Sequence, residues 1–354
     1  MYNKKKGVKE ETMEAEKTLK AIGIEPIRSL SFEEISSIIL QFVEAFIQAF
    51  PEQKIREEEL LHKMFKCKMY LANIPEYLGS ANYFYKDKAI YFNCNANLKQ
   101  LDQYMIHECL HYFQDVRDTR GNLNKLGLCE FTEYKIYAMA MNEAAVQYVT
   151  CKMLNEPKEK IQYAGILLET ESKSYYPILW NLIAQITYLI GEEKLITSTL
   201  FSNDEFMLSF MDIVGEKAVG EIQKGFDEIL NWKQSKENTE KVESAIRYNY
   251  EMIQNQILVS YFDGMLFLIE TIKEAEEYQR KLIQYRNLMG NVDNFQFYER
   301  YKRQQLQKLE KKIIMISRKN SRNMLAVVSD NKIIALFQKI RNFFQRRKEE
   351  YENE

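Results

Sequence analysis

Residues 104–112, Tyr-Met-Ile-His-Glu-Cys-Leu-His-Tyr, constrain this chain more than any other stretch, because their chemistry is coherent only on a helix. There His107 and His111 stand one turn apart on one face, where both imidazoles can hold one metal ion and Glu108 can reach a water beside it. Histidine is scarce, three in 354 residues, so two of the three bracketing a Glu at i and i+4 is not what composition delivers by itself. The plainer reading is a pair of helical histidines hydrogen-bonded in a core, with Glu108 solvated. A third ligand on another element would decide between the two.

Twelve Gly and five Pro leave few turns and breaks, so long helices should dominate, with a core divided over two or three units. A chain 46% hydrophobic and 28% charged is an ordinary folded protein, not a disordered one. The cysteines at 67, 94, 109, 129 and 151 are odd in number and form no Cys-x-x-Cys pair, which argues against a disulfide framework or a cysteine-based zinc site. The basic N-terminus has no apolar run behind it, and no stretch of about 18 uninterrupted apolar residues occurs, so neither a secretory signal nor a membrane span is expected. The expected compartment is the cytoplasm, with export by a route lacking a cleavable signal left open.

Taken in order, residues 1–30 read as a charged helical segment ending near Gly23. Ser31 and Glu34 form a capping box for a helix to about Phe50, whose Ile35, Ile38, Ile39, Phe42, Val43 and Phe46 make an apolar stripe. A second helix runs toward Phe65 and carries His62, which has no ligand spacing and is read as an ordinary surface or core residue. Lys68–Ile74, Ala81–Tyr85 and Lys88–Asn93 read as strands of a small antiparallel or mixed sheet, the one β region expected. Asn95 or Asn97 should cap the helix from Leu98 to about Val116, with the His pair on the face opposite Met105, Cys109 and Tyr112. A loop to Leu128 precedes a helix from about Thr132 to Leu154.

That last helix contains Asn142-Glu143-Ala-Ala-Val-Gln147 within a stretch of Ala, Met and Val that looks buried all round. An ionised Glu143 there needs a partner, and a metal held by His107 and His111 would be one. The alternative is a Glu that snorkels or pairs with a Lys.

His107-Glu-x-x-His111 followed by Asn142-Glu143-Ala-x-x-Gln147 resembles the gluzincin group of zinc metallopeptidases, of which the thermolysin-like enzymes are members. The resemblance covers roughly residues 66–156 and implies zinc held by His107, His111 and Glu143, with Glu108 as general base on a water that attacks a peptide bond. It implies a peptide or protein substrate held in extended form on an upstream sheet edge, for which the strand Lys88–Asn93 is the candidate. It also implies that Asn142 and Gln147 support the ligands, with Gln147 standing where the group has an Asp that orients a ligand His. The group uses a Tyr and a downstream His on the oxyanion; no His follows His111 here, and Tyr134, Tyr137, Tyr175 and Tyr176 are the remaining candidates. A metzincin would continue with Gly and His where this chain has Gln114 and Arg117.

The fold class expected is mainly α (α+β), with a zincin-type active-site helix. The expected divisions are an N-terminal segment (1–30), a metallopeptidase core (31–156), a helical lobe closing the cleft (157–232), which includes a helix over Lys160–Leu168, and a charged helical region (233–354). Residues 299–348 hold fifteen Lys and Arg against three Asp and Glu. Within them Lys332–Lys348 sets Ile333, Leu336, Phe337, Ile340, Phe343 and Phe344 against a basic face, which suits an anionic membrane surface, an acidic partner, or packing on the protein itself. Charge alone permits nucleic acid, but no finger, glycine loop or basic–aromatic platform supports it. A different class of function is a non-catalytic regulatory or binding protein that keeps the peptidase scaffold and acts through this basic region.

Overall fold

The computed structural model describes residues 17–53, 55–132, 136–291 and 295–325. Tyr134, the basic stretch Lys332–Lys348 and most of the expected N-terminal helix lie outside them. The protein is mainly α with small sheets. It divides into two compact units: one holds residues up to Tyr261 together with Tyr285–Phe295, the other Phe262–Gln284 and residues from Gln296 onward.

The first unit opens with helix over residues 17–21, turning at Gly23 where the charged helical segment was expected to end, and then forms β1 (Glu25–Ser29), a strand the sequence does not announce. Every residue of β1 is exposed and Pro26 sits in it, so no apolar alternation announces a strand; pairing with the free edge of the next strand makes it one. Helix α1 (Phe32–Ala49) follows, its capping box formed by Ser31 and Glu34 and its stripe Ile38, Ile39, Phe42, Val43 and Phe46 buried. Short α2 (Glu57–Met64) leads into β2 (Lys68–Asn73), β3 (Ala81–Phe84) and β4 (Ala89–Asn93), with His62 exposed on α2.

The sheet order is β1-β2-β4-β3, mixed because β2 and β4 run parallel. Alternation assigns its faces: Met69, Ile90 and Phe92 join the main core with α1, while Ala72, Ala89 and Tyr91 meet Leu19 and Ile24 on the other side. Since β4 is paired on both sides, it cannot accept an added peptide strand, and the expected shelf at Lys88–Asn93 is corrected on that ground. The outer strands are β1 and β3, and β3 is the one beside β4.

Helix α3 (Gln103–Gln114) starts later than expected. Asn93 and Asn97 accept from the backbone N–H groups of Asn95 and Lys99, local turns that compete with helix, and Asp102 provides the cap through Met105 N–H at 2.9 Å. Beyond α3 the expected loop is a meander of β5 (Asp115–Arg117), β6 (Leu123–Leu126), β7 (Cys129–Phe131) and β8 (Ile136–Tyr137). A two-residue turn led by Gly127, φ +57, joins β6 to β7. Helix α4 (Met139–Met153) therefore begins well after Thr132.

The stretch read as a helix over Lys160–Leu168 is instead the hairpin β9 (Glu159–Tyr163) and β10 (Ile166–Thr170). Ala164 and Gly165 both hold positive φ, 49 and 74, as a tight I′ turn requires, and burial alternates along Ile166, Leu167 and Leu168. Then come α5 (Pro177–Ile190), α6 (Glu192–Phe201), α7 (Glu205–Val214), α8 (Glu216–Lys233) and α9 (Thr239–Leu268). A buried polar network ties this lobe internally: Tyr250 donates to Asn181 at 2.7 Å, Tyr285 to Gln185 at 2.6 Å, and Gly290 N–H to Tyr250 at 2.8 Å. The second unit is built from the end of α9 with α10 (Ile272–Tyr285) and α11 (Phe295–Leu325), in which Tyr278 donates to Gln305 and Gln305 to Asp263.

All five cysteines are free, four of them buried and Cys94 exposed. Among the described residues no helix is long and apolar enough to cross a membrane.

Candidate metal centre

Helix α4 is buried on nearly every side, as a helix apolar all round must be, and packs against α3. It begins at Ala138, left-handed at φ +56, with no side-chain cap of its own; Asp227 of α8 accepts from Ala140 N–H instead, at 3.1 Å. One turn into α4, Glu143 faces the histidines of α3.

His107 Nε2 lies 3.0 Å from His111 Nε2 and 3.2 Å from Glu143 Oε2, and His111 Nε2 lies 3.3 Å from Glu143 Oε1. Two ring nitrogens and a carboxylate thus turn toward one point. A tetrahedral ion with N and O ligands at about 2.0–2.1 Å spaces those ligands about 3.3 Å apart, so the donor set and its separations fit a metal ion. His107 is fully buried, whereas the Glu143 side chain keeps 20% of its surface, so the cluster reaches solvent on the Glu143 side.

The orientation of His107 is fixed from behind. Gln147 accepts at Oε1 opposite His107 Nδ1, 3.0 Å away, while its amide nitrogen donates to Ser172 at 2.9 Å and Gln103 at 3.2 Å. Those acceptors leave the Gln147 oxygen for an Nδ1–H, the tautomer whose Nε2 lone pair points into the cluster. Gln103 was legible in principle, one turn before His107 on the same face; Ser172 carries no sequence signal. His111 Nδ1 is buried and makes no hydrogen bond of good geometry, although Gln114 lies near enough to favour the protonated ring.

The two carboxylates sit in opposed environments. Burial would raise Glu143, but the facing His111 and His107 outweigh it and hold the group well below the usual carboxylate range. Burial raises Glu108 above that range, against the pull of both histidines. Glu108 accepts from Tyr83 N–H on β3 at 2.6 Å, so the outer sheet edge touches it directly. Tyr83 is tied in turn to the end of α3, donating through its hydroxyl to Asp115 at 2.6 Å, and Arg117 brackets the same Asp115 at 2.7 Å.

Of the other residues singled out in the sequence, Asn142 lies on α4 but touches neither histidine; it accepts from Leu128 N–H at 2.9 Å and donates to Gln114. Tyr175 and Tyr176 do converge on the site, their ring centroids 5.1 Å and 6.3 Å from that of His107. Tyr137 is exposed on β8.

Comparison with protein-family models, with curated proteins and with solved structures finds no match.

Proposed function

We propose that the protein is a zinc-dependent peptidase of gluzincin type, with His107, His111 and Glu143 as the ligands and Glu108 as the general base. The observation that carries this reading is the convergence of His107, His111 and Glu143 ligand atoms, all within 4.8 Å of one another, from two helices. A His-His-Glu set leaves zinc an open position, where the ion supplies Lewis acidity and lowers the pKa of a water toward about 7.

The remaining work falls to the chain. Glu108, raised by burial and acceptor-only when ionised, takes the proton of the attacking water and returns it to the leaving nitrogen. Opposite shifts on neighbouring carboxylates divide the roles: Glu143 stays charged to bind, Glu108 exchanges a proton. Along β3 the residues that share Tyr83's parity, Ala81 and Tyr83, turn their main-chain groups to the outer edge; with the Tyr83 N–H taken by Glu108, an extended peptide would pair there with the main-chain groups of Ala81 and the Tyr83 carbonyl.

The test is Glu108→Gln with metal analysis and a broad peptide library. The expected result is unchanged zinc content with cleavage reduced at least 10²-fold, the scale lost with a general base. Zinc without cleavage by the wild type would favour a binding protein on the same scaffold.

A further inference from the structure

Lys233 ends α8, and its ammonium stands 4.1 Å from the ring centroid of Tyr176 and 5.3 Å from that of Tyr175. Those two rings, 4.1 Å apart, are the ones that reach His107. Tyr176 holds a left-handed backbone, φ +54, at the start of α5, which fixes where its ring stands. Among the described residues no carboxylate lies within 4.0 Å of the Lys233 ammonium. The residue as a whole is exposed, yet its ammonium end is crowded, which lowers its pKa to about 8 against the opposing pull of Glu143.

A basic residue at a helix C-terminus is ordinarily explained by the macrodipole. That does not explain an ammonium turned onto tyrosines near the carboxylate of Glu143, where it repels a cation. With a divalent ion balanced by Glu143 and Glu108 and with neutral imidazoles, the centre is uncharged, and Lys233 makes its mouth positive. Such a field favours an anion in the substrate.

We propose that Lys233, set over Tyr176 and Tyr175, binds a carboxylate of the peptide substrate at the mouth of the His107–His111–Glu143 site. This rests on the peptidase reading and narrows its substrate class to peptides with a carboxylate near the cleaved bond, either the free C-terminus or an acidic side chain. Lys233 acts in binding and not on the reacting atoms.

The experiment is calorimetric binding to zinc-loaded Glu108→Gln protein, with Lys233 intact, changed to Met or changed to Arg. Three probes are used: acetyl-Ala-Ala-Phe-Ala with a free carboxylate, its C-terminal amide, and that amide with Asp replacing one Ala. With Lys233 intact, at least one carboxylate probe should bind tenfold or more tighter than the plain amide, and which one does identifies the source. Lys233→Met should bring the probes within twofold of each other with zinc content and thermal melt unchanged, and Lys233→Arg should restore most of the difference. Equal binding of the three probes, binding of none, or a preference that survives Lys233→Met overturns the proposal. The peptidase reading fails separately, on absence of cleavage by the wild type, and the binding comparison is readable in either case.

Discussion

At the scale of single residues, the centre combines groups that would each be costly alone. Glu143 is tolerable among Ala, Met and Val because two imidazoles face it, and the His107 ring is held in place because Gln147, its amide nitrogen donating to Ser172 and Gln103, leaves that ring one tautomer. Replacing Gln147 by Ala should weaken metal binding about 10- to 100-fold without removing any ligand, measured by competition with a chromophoric chelator. Metal affinity should also depend on pH with a definite sign. Burial opposes the charged His111 ring, but Glu143 outweighs it and raises the pKa to about 8 in the metal-free protein. A proton therefore occupies the site below that pH and must leave when a metal enters. Affinity should fall roughly tenfold per unit as pH drops from 8 toward 6, and level off above about 8. The same competition assay run across that range checks it; an affinity flat with pH would mean that His111 is not a ligand.

At the scale of elements, the turn between β6 and β7 locks two helices that carry the site. A Cβ added to Gly127 would meet Asn142 Oδ1 at 2.2 Å and Gln114 Nε2 at 2.4 Å, and the backbone there is left-handed. Gly127→Ala should destabilise the fold by about 1–3 kcal/mol, read as a lower urea midpoint with unchanged slope. The sequence marks only a loop running to Leu128; the groups that require glycine at 127 come from α3 and α4 and are not legible locally. The same division runs through the fold. Helix α1 was readable because its cap and its stripe lie within one stretch of chain. Strand β1 was not, because it carries no buried residue and exists by pairing with β2. The β9–β10 hairpin reads as helix in sequence because its apolar residues fit either period; Ala164-Gly165 is the discriminating signal. Within the centre, the i and i+4 histidines and a lone Glu in an apolar helix were local features. Ser172, the Tyr175–Tyr176 pair beside His107, and Lys233 meet only through tertiary packing.

At the scale of the whole molecule, the first unit contains every residue of the candidate centre, and the second is a helical unit with its own buried Tyr278–Gln305–Asp263 contacts. The chemistry proposed for the chain therefore belongs to the first unit, where an ion would cross-link α3 to α4. Metal content tests this most directly. Purified wild-type protein, dialysed free of loosely bound ions and measured by mass spectrometry of the elements, should hold one zinc per chain. Glu143→Ala, shown to be folded by circular dichroism, should hold less than a tenth of that under the same dialysis. Substoichiometric metal in the wild type after zinc reloading, or undiminished metal in folded Glu143→Ala, would contradict a three-ligand centre.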